Sequence, residues 1–68
     1  MSIQVKLNGD PRELPGGATL AEAVAEVTSL ASGVAAAVNG DVVPHGSWAA
    51  TPLRDGDQVE VVTAVQGG

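Results

Sequence analysis

The chain has 68 residues, eight of them acidic and three basic, for a formal charge of −5, which leaves room for one small core and no second domain. Hydrophobic residues make up 44%, but eleven are alanine and eleven valine, with one tryptophan and no phenylalanine or tyrosine, so the core must be built from small and β-branched side chains. Cysteine is absent, which excludes disulfides, thiolate metal sites and a cysteine nucleophile, and an acidic surface with a single aromatic ring disfavours nucleic acid and favours a basic protein partner.

In chain order, Ile3, Val5 and Leu7 alternate with Gln4 and Lys6, a period of two that predicts a strand with one buried face. Asn8-Gly9 follows, and both residues tolerate the positive φ of a type I′ turn, so a hairpin is expected. Its return strand should be short, residues 12–14, because Pro11 and Pro15 bracket it and proline donates no ladder hydrogen bond. Gly16-Gly17-Ala18 make a loop. Thr19-Leu20-Ala21-Glu22 has capping-box spacing, with the Thr19 hydroxyl accepting from the Glu22 amide and the Glu22 carboxylate reaching back. Leu20, Ala23, Val24 and Val27, continued by Leu30 or Ala31, form the apolar stripe of a helix. Glu22 and Glu26 face outward, and Gly33 is the expected stop.

Val34–Val38 reads as a strand, with Val34, Ala36 and Val38 on one face, and the alternate Ala35 and Ala37 suggest burial on both sides. Asn39-Gly40 is a second turn, and Asp41–Val43 is a brief strand ended by Pro44. Residues 45–51 are a connector in which Trp48 plugs a corner of the core. Asp55-Gly56-Asp57 turns into the last strand, residues 58–65, with Val59, Val61, Thr63 and Val65 on one face and Gln58, Glu60, Val62 and Ala64 on the other. A hairpin, a helix and further strands form one sheet covered on one face by the helix. The first and last strands are the most apolar, which places them side by side in its middle.

Most candidate chemistry dissolves into structure. Gly16-Gly17 lacks the lysine-serine or dinucleotide glycine spacing of a phosphate loop. His45 is the only histidine and has no second ligand or nucleophile beside it. Asp55-Gly56-Asp57 lacks the other ligands of a calcium loop. Trp48 as a partner anchor ranks behind Trp48 as a core plug. No metal site is expected. The longest uncharged run, between Glu26 and Asp41, is too short to span a bilayer, and the first residues lack the basic-then-apolar order of a secretory signal. A cytoplasmic protein with no membrane contact is expected.

Gly67-Gly68 carries a different weight. The bland reading is a frayed end. The functional reading is that Gln66, Gly67 and Gly68, extended at about 3.3–3.6 Å per residue, reach roughly 10 Å beyond the sheet, and that two residues without Cβ can thread a channel only a backbone wide. A carboxylate on Gly68 is a poor electrophile until activated, for example as an acyl-adenylate. Such a tail is a substrate handle rather than an active site.

Val38-Asn39-Gly40-Asp41-Val42-Val43-Pro44, then Trp48-Ala49, then Leu53-Arg54-Asp55-Gly56-Asp57-Gln58-Val59-Glu60, and last Gly67-Gly68, in that order, resemble the ThiS sulfur carriers of thiamin biosynthesis. The likeness covers nearly the whole chain. Pro52 before Leu53 and the alanine-rich third strand depart from the pattern, in the connector and core rather than the tail. The resemblance implies an α+β, ubiquitin-like β-grasp fold: a mixed sheet of four to five strands with one main helix packed on one face. It implies a single sulfur-carrier domain over residues 1–68 with a flexible tail, residues 66–68.

The resemblance also implies a carrier rather than an enzyme. A ThiF-type adenylyltransferase would use ATP and magnesium to adenylate the Gly68 carboxylate, with no cofactor bound by the carrier itself. A sulfur donor such as a cysteine desulfurase would then convert it to a thiocarboxylate, and a ThiG-type thiazole synthase would take the sulfur. The partner-binding residues it implies are Gly67, Gln66, Ala64, Val62 and Glu60, with Val43 a further candidate. A molybdopterin-type or other sulfur carrier, a protein modifier forming isopeptide bonds, and a non-catalytic β-grasp interaction module are the alternatives.

Overall fold

The computed structural model describes residues 1–28 and 33–63. They form strands β1 (Ser2–Leu7) and β2 (Asp10–Pro15), helix α1 (Leu20–Val27), strands β3 (Val34–Val38) and β4 (Asp41–Val43), a 3-10 helix over His45–Ala50, and strand β5 (Gln58–Thr63). The sheet order is β2-β1-β5-β3-β4. β1 and β5 run parallel at its centre, and the other pairings are antiparallel. The expected central placement of the first and last strands is what the structure shows. Among the described residues no helix is long and apolar enough to cross a membrane.

Both hairpins turn on asparagine-glycine. Asn8 and Asn39 sit at φ 53° and 52°, and Gly9 and Gly40 at 88°, the left-handed pair that a two-residue type I′ turn requires. β2 runs three residues longer than expected, from Asp10 to Pro15. The register explains why its prolines are tolerated. Leu7 pairs with Asp10 across the turn, and this flanking pair is the hydrogen-bonded one in a two-residue hairpin. The alternate pairs, Lys6–Pro11 and Ser2–Pro15, therefore fall where the strand's N–H would point away from β1. β2 is an edge strand, so the missing donors cost no ladder bond.

The capping box is present in full. The Glu22 amide donates to Thr19 Oγ1 at 3.4 Å and the Thr19 amide to Glu22 Oε1 at 3.0 Å. The Leu20 amide donates to the Thr51 carbonyl at 2.8 Å and the Leu53 amide to the Ala18 carbonyl at 2.9 Å, which tie the start of the helix to the connector. Thr19→Ala is expected to lower stability by about 1 kcal/mol, read as a lower urea midpoint.

The helix is shorter than its pattern suggested. It ends at Val27, and Thr28 takes an extended conformation at φ −150°, so Gly33 is not its stop. Val27 is 39% exposed, because the two-turn helix covers the sheet with Leu20, Ala23 and Val24 and its last residue lies beyond that contact. Leu30 and Ala31 lie outside the described residues. Arg12 reaches Glu26 at 3.4 Å across the surface, an exposed pair of the kind that adds little.

The core unites Val5, Leu7, Leu14, Ala18, Leu20, Ala23, Val24, Ala36, Trp48, Leu53, Val59 and Val61. Trp48 plugs it from the 3-10 helix, with its indole N–H donating to the Val43 carbonyl at 2.9 Å and its ring meeting exposed His45 edge-on at 4.5 Å. Satisfying the one polar atom of a buried indole this way avoids a desolvation penalty of roughly 1–3 kcal/mol. Asp55 and Asp57 are structural turn residues. Their carboxylates accept from the amides of Gln4 at 2.7 Å and Arg54 at 2.8 Å.

Candidate functional site

The sheet has two unlike faces. α1 covers the one that carries Ala36, Val59 and Val61, while among the described residues no helix lies on the far face. Side chains alternate along a strand, so β5 sends Val59 and Val61 into the core and Glu60 and Val62 outward. Val62 is 59% exposed. The antiparallel register places Ala35 beside Val62 and Ala37 beside Glu60, and Ala37 beside Val42 on β4. These residues line a shallow, largely apolar groove.

The expectation that β3 is buried on both sides is therefore corrected. Ala35 is exposed and Ala37 half-buried, because a single helix cannot cover both faces of the sheet. Glu60 and Val62 are brought together on the open face, as expected. Val43 is not part of it: half-buried, it packs against the core and its carbonyl is taken by Trp48. Its place belongs to Val42, 74% exposed, which sequence reasoning missed. The signal was available in the Asn39-Gly40 turn, whose two-residue register puts Asp41 opposite Val38 and Val42 opposite Ala37.

Ala64, Gln66, Gly67 and Gly68 lie outside the described residues. What can be described is the strand that leads to them. β5 is held on one side by β3 along Val59–Thr63 partners Val38 to Val34, and on the other by β1 only as far as Leu7 opposite Val59. Beyond that point the Asn8 side chain takes over: its Nδ2 donates to the Val61 carbonyl at 3.0 Å, and its Oδ1 accepts from the Val61 amide at 2.8 Å. Asn39 acts at the other end of the strand, where its Oδ1 accepts from the Gln58 amide at 3.0 Å and its own amide donates to the Gln58 carbonyl at 2.7 Å. Both asparagines do more than shape their turns, and a turn motif alone does not reveal it.

Among the described residues the open face presents an exposed apolar strip with one carboxylate in it, and strips of this kind suit contact with another protein. Among the described residues no group of three histidine, cysteine, aspartate or glutamate side chains could hold a metal.

The ThiS family model matches residues 5–68. The chain belongs to the ThiS family. A sulfur carrier protein ThiS from Thermus thermophilus is 45% identical over 64 residues, 94% of this chain and 98% of that protein. Its counterpart from Escherichia coli is 29% identical over 66 residues, 97% of this chain and the whole of that protein. The crystal structure of a thiamine biosynthesis protein, ThiS, from Geobacter metallireducens superposes with a TM-score of 0.80 at 26% identity, covering 97% of this chain and all of that one. The mixed five-stranded sheet with its helix is thus the β-grasp fold of ThiS. A protein of different size also matches: 66 residues of a thiazole synthase from Magnetococcus marinus, 20% of its length, are 33% identical to 97% of this chain.

Proposed function

We propose that this ThiS-family chain is a sulfur carrier of thiamin biosynthesis whose reacting group is the carboxylate of Gly68. The observation that carries the reading is 45% identity to a sulfur carrier protein ThiS across nearly the full length of both chains. The family match runs through Gly68. The chain is a protein co-substrate, not a catalyst. The folded body supplies recognition and the tail supplies the reaction.

The chemistry follows from the weakness of a carboxylate as an electrophile. A ThiF-type adenylyltransferase, using ATP and magnesium, joins a Gly68 carboxylate oxygen to the α-phosphorus, and pyrophosphate leaves. Sulfur from a donor such as a cysteine desulfurase arrives as the outer atom of an enzyme persulfide, which attacks the acyl carbon and expels AMP, and a thiol reductant then cleaves the S–S bond of the resulting acyl disulfide. The product is a thiocarboxylate, and this chain needs no thiol of its own to carry sulfur. A ThiG-type synthase then takes the sulfur into the thiazole ring. A carrier-like segment within a thiazole synthase supports this partner over a molybdopterin-forming one.

The open face suits docking. A partner that offers apolar side chains to Val42, Val62 and Ala35 and a cation to Glu60 would complement it. Val42→Asp is expected to change stability by no more than about 0.5 kcal/mol, because the side chain is exposed. The KM of adenylation should nevertheless rise by about tenfold or more, since a desolvated carboxylate in an apolar contact costs more than 1.4 kcal/mol.

The acceptor is tested by loading the carrier with radiolabelled sulfur and incubating it with a ThiG-type synthase and its other substrates. Label is expected to move into thiazole. Label that stays on the protein there, yet moves to a molybdopterin precursor in a parallel incubation, would overturn the assignment.

A further inference from the structure

The carrier's reaction needs Gly68 delivered to an active site at a fixed distance and direction from the docked body. The chain leads toward that end through β5. On its β3 side the strand is paired through Thr63. On its β1 side the ladder stops at Val59, because β1 ends at Leu7 and Asn8 turns away at φ 53°. Val61 would be left with a free amide and carbonyl on that side. The Asn8 carboxamide meets both, at 2.8 and 3.0 Å, while the Asn8 main-chain amide donates to the Val59 carbonyl at 2.9 Å. One residue thus grips β5 at two successive inward positions. It adds a surrogate rung to a sheet whose real neighbour has ended.

We propose that Asn8 is a positioning residue for the carrier reaction: its side chain fixes the exit direction of β5, and so the aim of the tail, without contacting any reacting group. This rests on the reading of Gly68 as the reacting end. Asn39 provides the contrast. It makes the same kind of grip on Gln58, at the entry end of β5, with Nδ2 donating to Asp57 Oδ1 at 3.1 Å. Loss of that grip loosens the fold at the end away from the tail. The two asparagines share a turn type, a backbone conformation and a hydrogen-bonding style, and differ in which end of β5 they hold.

Glycine is the informative substitution, since it keeps the left-handed turn at no steric cost and deletes only the side-chain bonds. For Asn8→Gly, Asn39→Gly and the unaltered chain, adenylation is followed as ATP–pyrophosphate exchange with a ThiF-type adenylyltransferase, and amide hydrogen exchange by NMR. Asn8→Gly should exchange the Val61 amide faster. Its kcat should fall by about tenfold or more, as small misplacements of a reacting group do. Its KM should stay within about twofold, because the docking face is untouched. Asn39→Gly should lower the thermal midpoint yet keep its kcat.

If Asn8→Gly is substantially unfolded at the assay temperature, Asn8→Asp answers the same question: it keeps an acceptor for the Val61 amide, loses the donor to the Val61 carbonyl, and should also lower kcat at constant KM. A normal kcat in folded Asn8→Gly with a fast-exchanging Val61 amide overturns the proposal. So does an equal loss of kcat in Asn39→Gly, which would mean that only stability matters. No exchange with the unaltered chain would remove the carrier reading itself, a result visible before any variant is compared.

Discussion

Deletion of Gly68 is expected to abolish thiocarboxylate formation while leaving the thermal midpoint unchanged. Every buried residue of the described structure lies between Val5 and Val61, at least seven positions before Gly68 in the chain. Removing the last residue would move the carboxylate one peptide unit, about 3.3–3.6 Å, short of its place, and adenylation requires attack at a defined distance and angle. Gly67→Val leaves the carboxylate in place but adds a branched Cβ where a narrow channel admits only backbone, and should also block activation. Normal thiolation of the valine variant would rule out the narrow channel, and normal thiolation of the truncated one would move the reacting group elsewhere.

The second large effect concerns the fold. Leu20 is 0% exposed at the start of the helix, where its amide donates to the Thr51 carbonyl. Its truncation to alanine removes the transfer energy of the lost carbons and leaves a cavity that the capped helix cannot readily collapse, costing about 2–5 kcal/mol. A domain below about 70–80 residues rarely has more than about 3–5 kcal/mol to lose. Leu20→Ala is therefore expected to lower the thermal midpoint by more than about 10 °C and to populate unfolded chain at 37 °C. A drop of only about 2 °C by circular dichroism would mean that the helix is not seated through this residue.

Much of this architecture was legible because local chemistry admits few solutions. Asn8-Gly9 and Asn39-Gly40 each demanded a left-handed pair, which fixed two hairpins and their registers. Thr19 and Glu22 marked the helix start to the residue, and Trp48 had to be buried because nothing else in the chain could fill its volume. The misreadings fall where side chains are silent. Alanine is small enough to suit either environment, so Ala35 and Ala37 did not reveal that, among the described residues, one face of the sheet carries no helix. Pro11 and Pro15 seemed to confine β2 until the register showed which way their nitrogens face. Val27 fits the helical stripe but outlasts the surface it would cover. The bonds from Asn8 to Val61 span 53 positions in the chain, a distance at which sequence spacing carries no signal.

The candidate site divides in the same way. The outward facing of Glu60 and Val62 followed from period-two alternation and their docking role from the family resemblance, whereas Val42 needed the register of a three-residue strand. Gly67 and Gly68 carry no side chain to argue from, and their reading depends on what a carboxylate at the end of a strand can become. The most direct test is an intact-mass measurement after incubation with a ThiF-type adenylyltransferase, ATP, magnesium and a sulfur source. A gain equal to one oxygen replaced by sulfur, assigned to Gly68 by fragmentation, is the predicted result. An unchanged mass, under conditions that thiolate a known homologue, would contradict it.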